Sequence, residues 1–187
     1  MRIISGIFKG KKLYSPKDKF TRPLKDLTKE SLFNIILHSN KFNGTIIDAK
    51  VLDLFSGVGS FGLECLSRKA RSVTFVENYK IVIPILRKNI LSLNLSEKSK
   101  VIEKDIFNRL DFNNLEGKFD IIFLDPPYKE KLLSDVLKKI FNAKIISKEG
   151  IIIIHRHKNE QDEIYNFFNI IEEKIYGISK LIFGKFD

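Results

Sequence analysis

The sequence predicts an α/β fold, a mostly parallel sheet covered on both faces and finished by an antiparallel hairpin. Three observations carry that reading. The first is Val51 to Gly62, VLDLFSGVGSFG, where an apolar run ends at Asp53 and gives way to glycines at a Gly57-x-Gly59-x-x-Gly62 spacing before the helical pattern Leu63, Cys65, Leu66 begins. This is a buried strand, a tight turn and a helix, because glycine takes positive φ and lets a ligand approach the main chain without meeting a Cβ. The second is the alternation of strand and helix patterns downstream, which argues for parallel strands joined by helical crossovers. The third is a change of period near the C-terminus, where Ile170 to Tyr176 and Ser179 to Phe186 alternate around Gly177 as the two arms of a hairpin do.

Taken in order, residues 1–25 mix short apolar pieces with glycine, proline and lysine and predict a short β-hairpin and arm whose basic side chains face solvent. Asp26 to Ser39 places Leu27, Phe33, Ile36 and Leu37 at helical spacing, with Asp26 and Thr28 as caps. After the glycine stretch come a helix to Lys69, a strand at Ser72 to Val76, and a helix from Tyr79 to Leu93 with a kink at Pro84. A strand from Lys100 ends before Asp105, a helical turn covers Ile106 to Leu110, and the apolar strand Phe119 to Leu124 runs into Asp125-Pro126-Pro127-Tyr128. A helix over Glu130 to Asn142, a buried strand over Gly150 to Ile154 and an amphipathic helix over Asn159 to Phe167 precede the hairpin. No linker divides the chain, so one domain is expected, with residues 1–25 as its basic arm and 26–187 as its catalytic core.

The chain has 187 residues, 43% of them hydrophobic, one cysteine, and a net charge of +10. A single cysteine, Cys65, excludes an intrachain disulfide, and no apolar run reaches the length of a signal peptide or membrane span, so a cytoplasmic protein with no membrane partner is expected; a monomer is the expected state. The positive charge suggests a polyanion, since lysines that neutralise phosphates gain affinity by releasing counterions. It is also concentrated: residues 1–30 hold nine basic side chains (Arg2, Lys9, Lys11, Lys12, Lys17, Lys19, Arg22, Lys25, Lys29) against three acidic ones (Asp18, Asp26, Glu30).

The chemistry rests on two turns. Glycines at this spacing, followed by Glu77 at the end of the next strand, indicate a nucleoside-containing cofactor, because a carboxylate there holds two ribose hydroxyls. The Asp-Pro-Pro-Tyr turn decides what the cofactor is for. A rigid acidic and aromatic corner at the carboxyl end of a strand has no evident use in hydride transfer or phosphate hydrolysis. Methylating an exocyclic amine uses all of it: Asp125 and the Pro126 carbonyl accept the two N–H bonds of the amine, Pro127 stiffens the corner, and Tyr128 stacks on an extruded base. His155-Arg156-His157 has no acid or cysteine at ligand spacing and reads as a polar or RNA-facing strand end, so no metal is expected.

Six ordered segments, RIISGIFKGKKL, TRPLKDLTKESLFN, DLFSGVGSFGLECLSR, FVEN with KDIF, FDIIFLDPPY and YGISKLIFGK, together resemble the 16S rRNA guanine-N2 methyltransferases of the small ribosomal subunit, which use S-adenosylmethionine. The resemblance runs over nearly the whole chain. It implies a seven-stranded, Rossmann-like class I methyltransferase sheet with an antiparallel last hairpin. It also implies that Asp53, Gly57 and Gly59 cradle the methionine end of the cofactor, that Glu77 holds the ribose, and that Asp105 accepts from the adenine amine. Phe55, Gly62 and Ile106 complete that cofactor set. Arg2, Lys9, Lys11, Lys12, Arg22, Lys25 and Lys29 are the expected grip on 16S rRNA, free or in the assembling small subunit. Leu27 and Lys29 stand where the family usually carries arginines, and His155 where it tends to place an acid. Asp105 also has a simpler reading, as the cap of the turn that follows it. Two alternatives stand beside methylation of guanine: adenine-N6 methylation of DNA, which the same corner would serve, and a basic RNA-binding module that has lost the cofactor.

Overall fold

The computed structural model describes residues 1–16, 24, 26–41, 45–127, 132–161 and 167–186. Its elements are α1 (Asp26–His38), β1 (Lys50–Leu54), α2 (Ser60–Ser67), β2 (Ser72–Glu77), α3 (Ile83–Ser92), β3 (Ser99–Glu103), β4 (Phe119–Leu124), α4 (Leu133–Ala143), β5 (Ile146–His157), β6 (Phe168–Tyr176) and β7 (Ser179–Phe186). The seven strands form one sheet in the order β3-β2-β1-β4-β5-β7-β6. The pairs among the first five are parallel, and β7 runs antiparallel to both β5 and β6. This is the Rossmann-like class I methyltransferase arrangement.

Side chains alternate across the sheet, and the two faces bury separate cores. Val51, Phe75, Ile121, Phe123, Ile151 and Ile153 face a core shared with α1, α2 and α3. Leu52, Leu54, Val76, Ile122, Leu124, Ile152 and Ile154 face one built with α4. Strands buried on both sides explain why β1, β4 and β5 read as near-continuous apolar runs.

Three elements differ from the sequence expectation. The third helix begins at Ile83, with Pro84 in its first turn, where a missing N–H costs nothing, so Pro84 starts the helix and does not kink it. β5 is twelve residues long, extending the expected strand at both ends. Its last residues, His155 to His157, pair with Leu181 to Ser179 of β7. Beyond Ile154 it has no β4 partner, so its end runs alongside the turn that follows β4. Of the helix expected over Asn159 to Phe167, the described residues Asn159, Glu160, Gln161 and Phe167 are not helical, and residues 162–166 lie outside the described residues.

The N-terminal segment closes as a small hairpin, with an antiparallel bridge between Arg2 and Lys12, and packs against α2. Glu64, fully buried, accepts the Ile4 and Ser5 backbone N–H groups at 2.7 and 2.9 Å and the Arg68 Nε at 2.9 Å. Ser67 holds the next turn, its carbonyl accepting from Ile7 N–H and its hydroxyl from Phe8 N–H. Lys29 completes this network. It was expected on the RNA-facing surface, but its side chain is fully buried 3.4 Å from the Glu64 carboxylate and donates to the Arg2 carbonyl at 2.7 Å. Burial lowers the pKa of its ammonium, against the opposing pull of Glu64. Its charge is spent inside the fold. Arg2, Lys9, Lys11 and Lys12 are exposed on the arm, whereas Arg22 and Lys25 lie outside the described residues.

Removing one partner from a buried ion pair is costly because the other stays desolvated. Lys29→Ala is therefore expected to lower the unfolding free energy by about 3 kcal/mol in urea titrations. Unchanged stability with weakened RNA binding would return Lys29 to the substrate surface.

Candidate active site

In this sheet β1 is flanked by β2 on one side and β4 on the other, and the chain turns outward in opposite directions from that point. Open α/β sheets bind ligands in the crevice at such a switch, outside the carboxyl ends of the strands. Here the crevice is a cavity of about 670 Å³, lined by the turn after β1, the end of β2 and the turn after β4.

The turn after β1 is fixed from several directions. Ser56 N–H donates to the Val76 carbonyl of β2 at 3.1 Å, and Gly59 N–H donates back to the Ser56 carbonyl at 2.8 Å. Asn89 on α3 donates to the Val58 carbonyl at 3.0 Å while pairing with the main chain of Tyr14, so the N-terminal segment and the turn share one anchor. Phe55, Gly57 and Gly59 all have positive φ, at 60°, 55° and 85°. Phe55 is the notable case, since a bulky residue in the left-handed region is strained and such strain gathers at functional sites.

The expected cofactor residues divide here. Asp53, Phe55, Gly57 and Glu77 line the cavity. Gly59 and Gly62 do not. Gly59 makes the turn, and a Cβ there would come within 2.5 Å of Leu86; at Gly62 it would come within 2.3 Å of Phe75, so that glycine is required by helix packing. Gly62 still contributes its N–H, which donates to Asp53 Oδ2 at 3.0 Å. Asp105 and Ile106 are also off the cavity wall. The Asp105 carboxylate caps the next turn by accepting from Phe107 and Asn108 N–H at 2.8 and 2.9 Å, and Ile106 is buried in the α4-side core. Asp105 reaches the cavity through Asn78, whose side-chain amide donates to it at 3.3 Å and which lines the wall itself.

Glu77 is held as an acceptor. Its Oε2 accepts from Gly57 N–H at 2.7 Å and its Oε1 from Asn78 and Tyr79 N–H at 2.8 and 2.9 Å. The turn after β4 lies directly beside the glycine turn, because Asp125 N–H donates to the Leu54 carbonyl at 3.3 Å, one step beyond the paired residues of β1 and β4. Phe61 stacks on Phe123 at 4.1 Å to form the cavity floor between them. Asp125, Pro126 and Pro127 line the opening; Tyr128 lies outside the described residues.

The end of β5 holds that corner. His155 Nδ1 is 2.7 Å from Asp125 Oδ1, and Arg156 donates to the Pro127 carbonyl at 3.1 Å. These residues are the polar end of the strand, as one of the two expected readings had it, and His155 and Arg156 are buried, which rules out the other, an RNA-facing edge: the strand runs past β4 and lays them along its turn. The sequence reading gave them no role at this corner, and it missed Asn78 and Phe61, which lay inside quoted motifs without an assigned role. Among the described residues no group of three or more His, Cys, Asp or Glu side chains could hold a metal, and no helix is long and apolar enough to cross a membrane.

The described lining contains three carboxylates, Asp53, Glu77 and Asp125, and no basic side chain. Burial, reinforced by Asp125 and Glu77, raises the Asp53 carboxyl well above its ordinary value. Such a cavity repels a pyrophosphate and suits a cationic ligand with hydroxyls. The sulfonium, ammonium and ribose diol of S-adenosylmethionine fit this set: Glu77 would take the ribose, Gly57 the close main-chain approach, and Asp53 with Asp125 the positive end.

A family model described as Conserved hypothetical protein 95 matches residues 1–185. The Ribosomal RNA small subunit methyltransferase D of Haemophilus influenzae is 32% identical over 179 residues, which are 95% of this chain and 90% of that protein. Among solved structures, Escherichia coli yhhF superposes with a TM-score of 0.82 at 28% identity, covering 100% of this chain and 98% of its own. An RNA methyltransferase from Salinibacter ruber, in complex with S-adenosyl-L-homocysteine, has a TM-score of 0.64 at 10% identity over 87% of this chain and 92% of that one, a likeness of fold.

Because burial raises the Asp53 pKa, the folded state holds that proton more tightly than the unfolded chain. The stability it contributes is full below about 3.8 and is lost as pH rises through the folded value. Asp53→Asn keeps an acceptor for Gly62 N–H and is expected to raise Tm at pH 8, with the gain closing toward pH 4. Melting curves showing an equal gain at both pH values would contradict this.

Proposed function

The chain belongs to the family described as Conserved hypothetical protein 95, and from that premise we propose that it methylates the exocyclic N2 amine of a guanine in 16S rRNA, using S-adenosylmethionine. The observation that carries the reading is the adjacency of the two turns: an acidic double-proline corner opens on the same cavity as the glycine turn, tied to it through the Asp125 N–H bond to Leu54. Kinship with a small-subunit rRNA methyltransferase supports the choice of RNA.

Bound in this cavity, the cofactor supplies a methyl carbon made electrophilic by a cationic sulfur. The protein must present a poor nucleophile to it, because the guanine amine is conjugated with its ring. Asp125 and the Pro126 carbonyl accept the two N–H bonds of the amine, which draws its lone pair out of conjugation in the transition state. Asp125 accepts the surplus proton only after the nitrogen has been alkylated and has become acidic. Glu77, held by three backbone donors, fixes the ribose without needing to reorganise. Arg2, Lys9, Lys11 and Lys12 grip phosphates on the flank, so affinity should fall as salt rises.

Tritiated methyl transfer into small subunits, free 16S rRNA and DNA tests the assignment, with digestion of the product to nucleosides. N2-methylguanosine from rRNA is expected, and label confined to DNA would overturn the reading. Asp125→Ala is expected to reduce turnover by about 10²–10³-fold, as loss of an oriented polar group does, with cofactor affinity changed by no more than a few-fold. Unaltered turnover would remove Asp125 from the reaction.

A further inference from the structure

Ile154 is the last β5 residue paired with β4, so the next two side chains fall beside the Asp-Pro-Pro turn. Alternation sends them to opposite faces: His155 to the side of Phe123 and Ile153, Arg156 to the side of Leu124 and Ile154. They hold the turn at two points. Arg156 secures the Pro127 carbonyl at 3.1 Å and reaches toward Glu160, while His155 Nδ1 sits 2.7 Å from Asp125 Oδ1. The His155 side chain is 4% exposed, and that of Asp125 24%, so one partner is fixed in the core and the other opens on the cavity. An ionised carboxylate only accepts, so Nδ1 carries the shared proton.

We propose that His155 is a positioning residue for methyl transfer, acting through Asp125. By occupying Oδ1 it leaves Oδ2 to accept the target amine, and it sets the rotation of the carboxylate relative to the Pro126 carbonyl. This deepens the proposed reaction and rests on it. The amine needs two acceptors at a defined angle, and a carboxylate at the end of a strand would otherwise turn about its own side-chain bonds and offer either oxygen. A short charge-assisted hydrogen bond from a buried ring removes that freedom.

The test compares His155→Asn, whose side-chain amide can donate from nearly the place of Nδ1, with His155→Leu, which cannot. Single-turnover methyl transfer to 16S rRNA is expected to fall by about 10–100-fold in His155→Leu, the range of a 1 Å misplacement, and to stay within about 3-fold in His155→Asn. Calorimetric affinity for S-adenosylmethionine and KM for rRNA should be unchanged in both variants. Equal rates in the two variants, or a loss that appears in cofactor affinity, would overturn the positioning role. A second readout needs no turnover: in ¹⁵N-histidine NMR of the wild-type protein, His155 should show an Nδ1-bound proton far downfield that disappears in Asp125→Ala. An Nε2-protonated ring with unprotonated Nδ1 overturns the inference whatever the activity. A wild-type protein that keeps the Nδ1 proton yet methylates no rRNA overturns the reaction itself, and the positioning role with it.

Discussion

β1 and β4 are neighbours, and their backbone ladder does not stop where the strands do. Asp125 N–H still donates to the Leu54 carbonyl after the last paired residues. This continuation makes two turns that are far apart in sequence into the two walls of one cavity. It follows from topology: a chain that lays β2 and β3 to one side of β1 and returns to lay β4 on the other must leave a gap above the junction. The four glycine-turn residues that line the cavity (Phe55, Ser56, Gly57 and Val58), the Asp-Pro-Pro corner and the Phe61–Phe123 stack are all placed by that one adjacency.

The cavity works against the stability of the fold. Asp53, Glu77 and Asp125 share one space, Phe55 is held at a positive φ, and the Asp53 carboxyl is kept from ionising readily by burial and by its two neighbours. These are features that a fold selected only for stability would avoid, and the clustering of carboxylates becomes favourable when a cation occupies the space. Stabilising contacts lie behind the site: the Lys29–Glu64–Arg68 network and the Asn89 bridge bind the N-terminal hairpin to α2 and to the glycine turn. The exposed arm that carries Arg2, Lys9, Lys11 and Lys12 is thus mounted on the helix that begins at the cavity.

The residues whose position was legible in the sequence were those placed by local structure. Gly57 and Glu77 follow a turn and a strand end, Asp125 to Pro127 follow an apolar strand, and period-two alternation around Gly177 gave the hairpin. What escaped was decided by partners distant in the chain. Lys29 looks like one more basic residue of a charged segment, and its burial depends on Glu64 and the Arg2 carbonyl. Asp105 satisfied both readings in sequence, and the neighbouring N–H groups of Phe107 and Asn108 claim its carboxylate as a cap. The sequence marks His155 and Arg156 as a polar strand end, but their bonds to the Asp-Pro-Pro turn escaped because β5 runs past the end of β4 and nothing local names that partner.

The most direct measurement is a crystal structure of the complex with S-adenosylhomocysteine and an rRNA fragment bearing the target guanine. The account predicts the cofactor sulfur over the Gly57 turn and the guanine amine within hydrogen-bond distance of Asp125 and the Pro126 carbonyl, on one side of the β1–β4 junction. A cofactor bound elsewhere, or a base held away from the Asp-Pro-Pro corner, would contradict it.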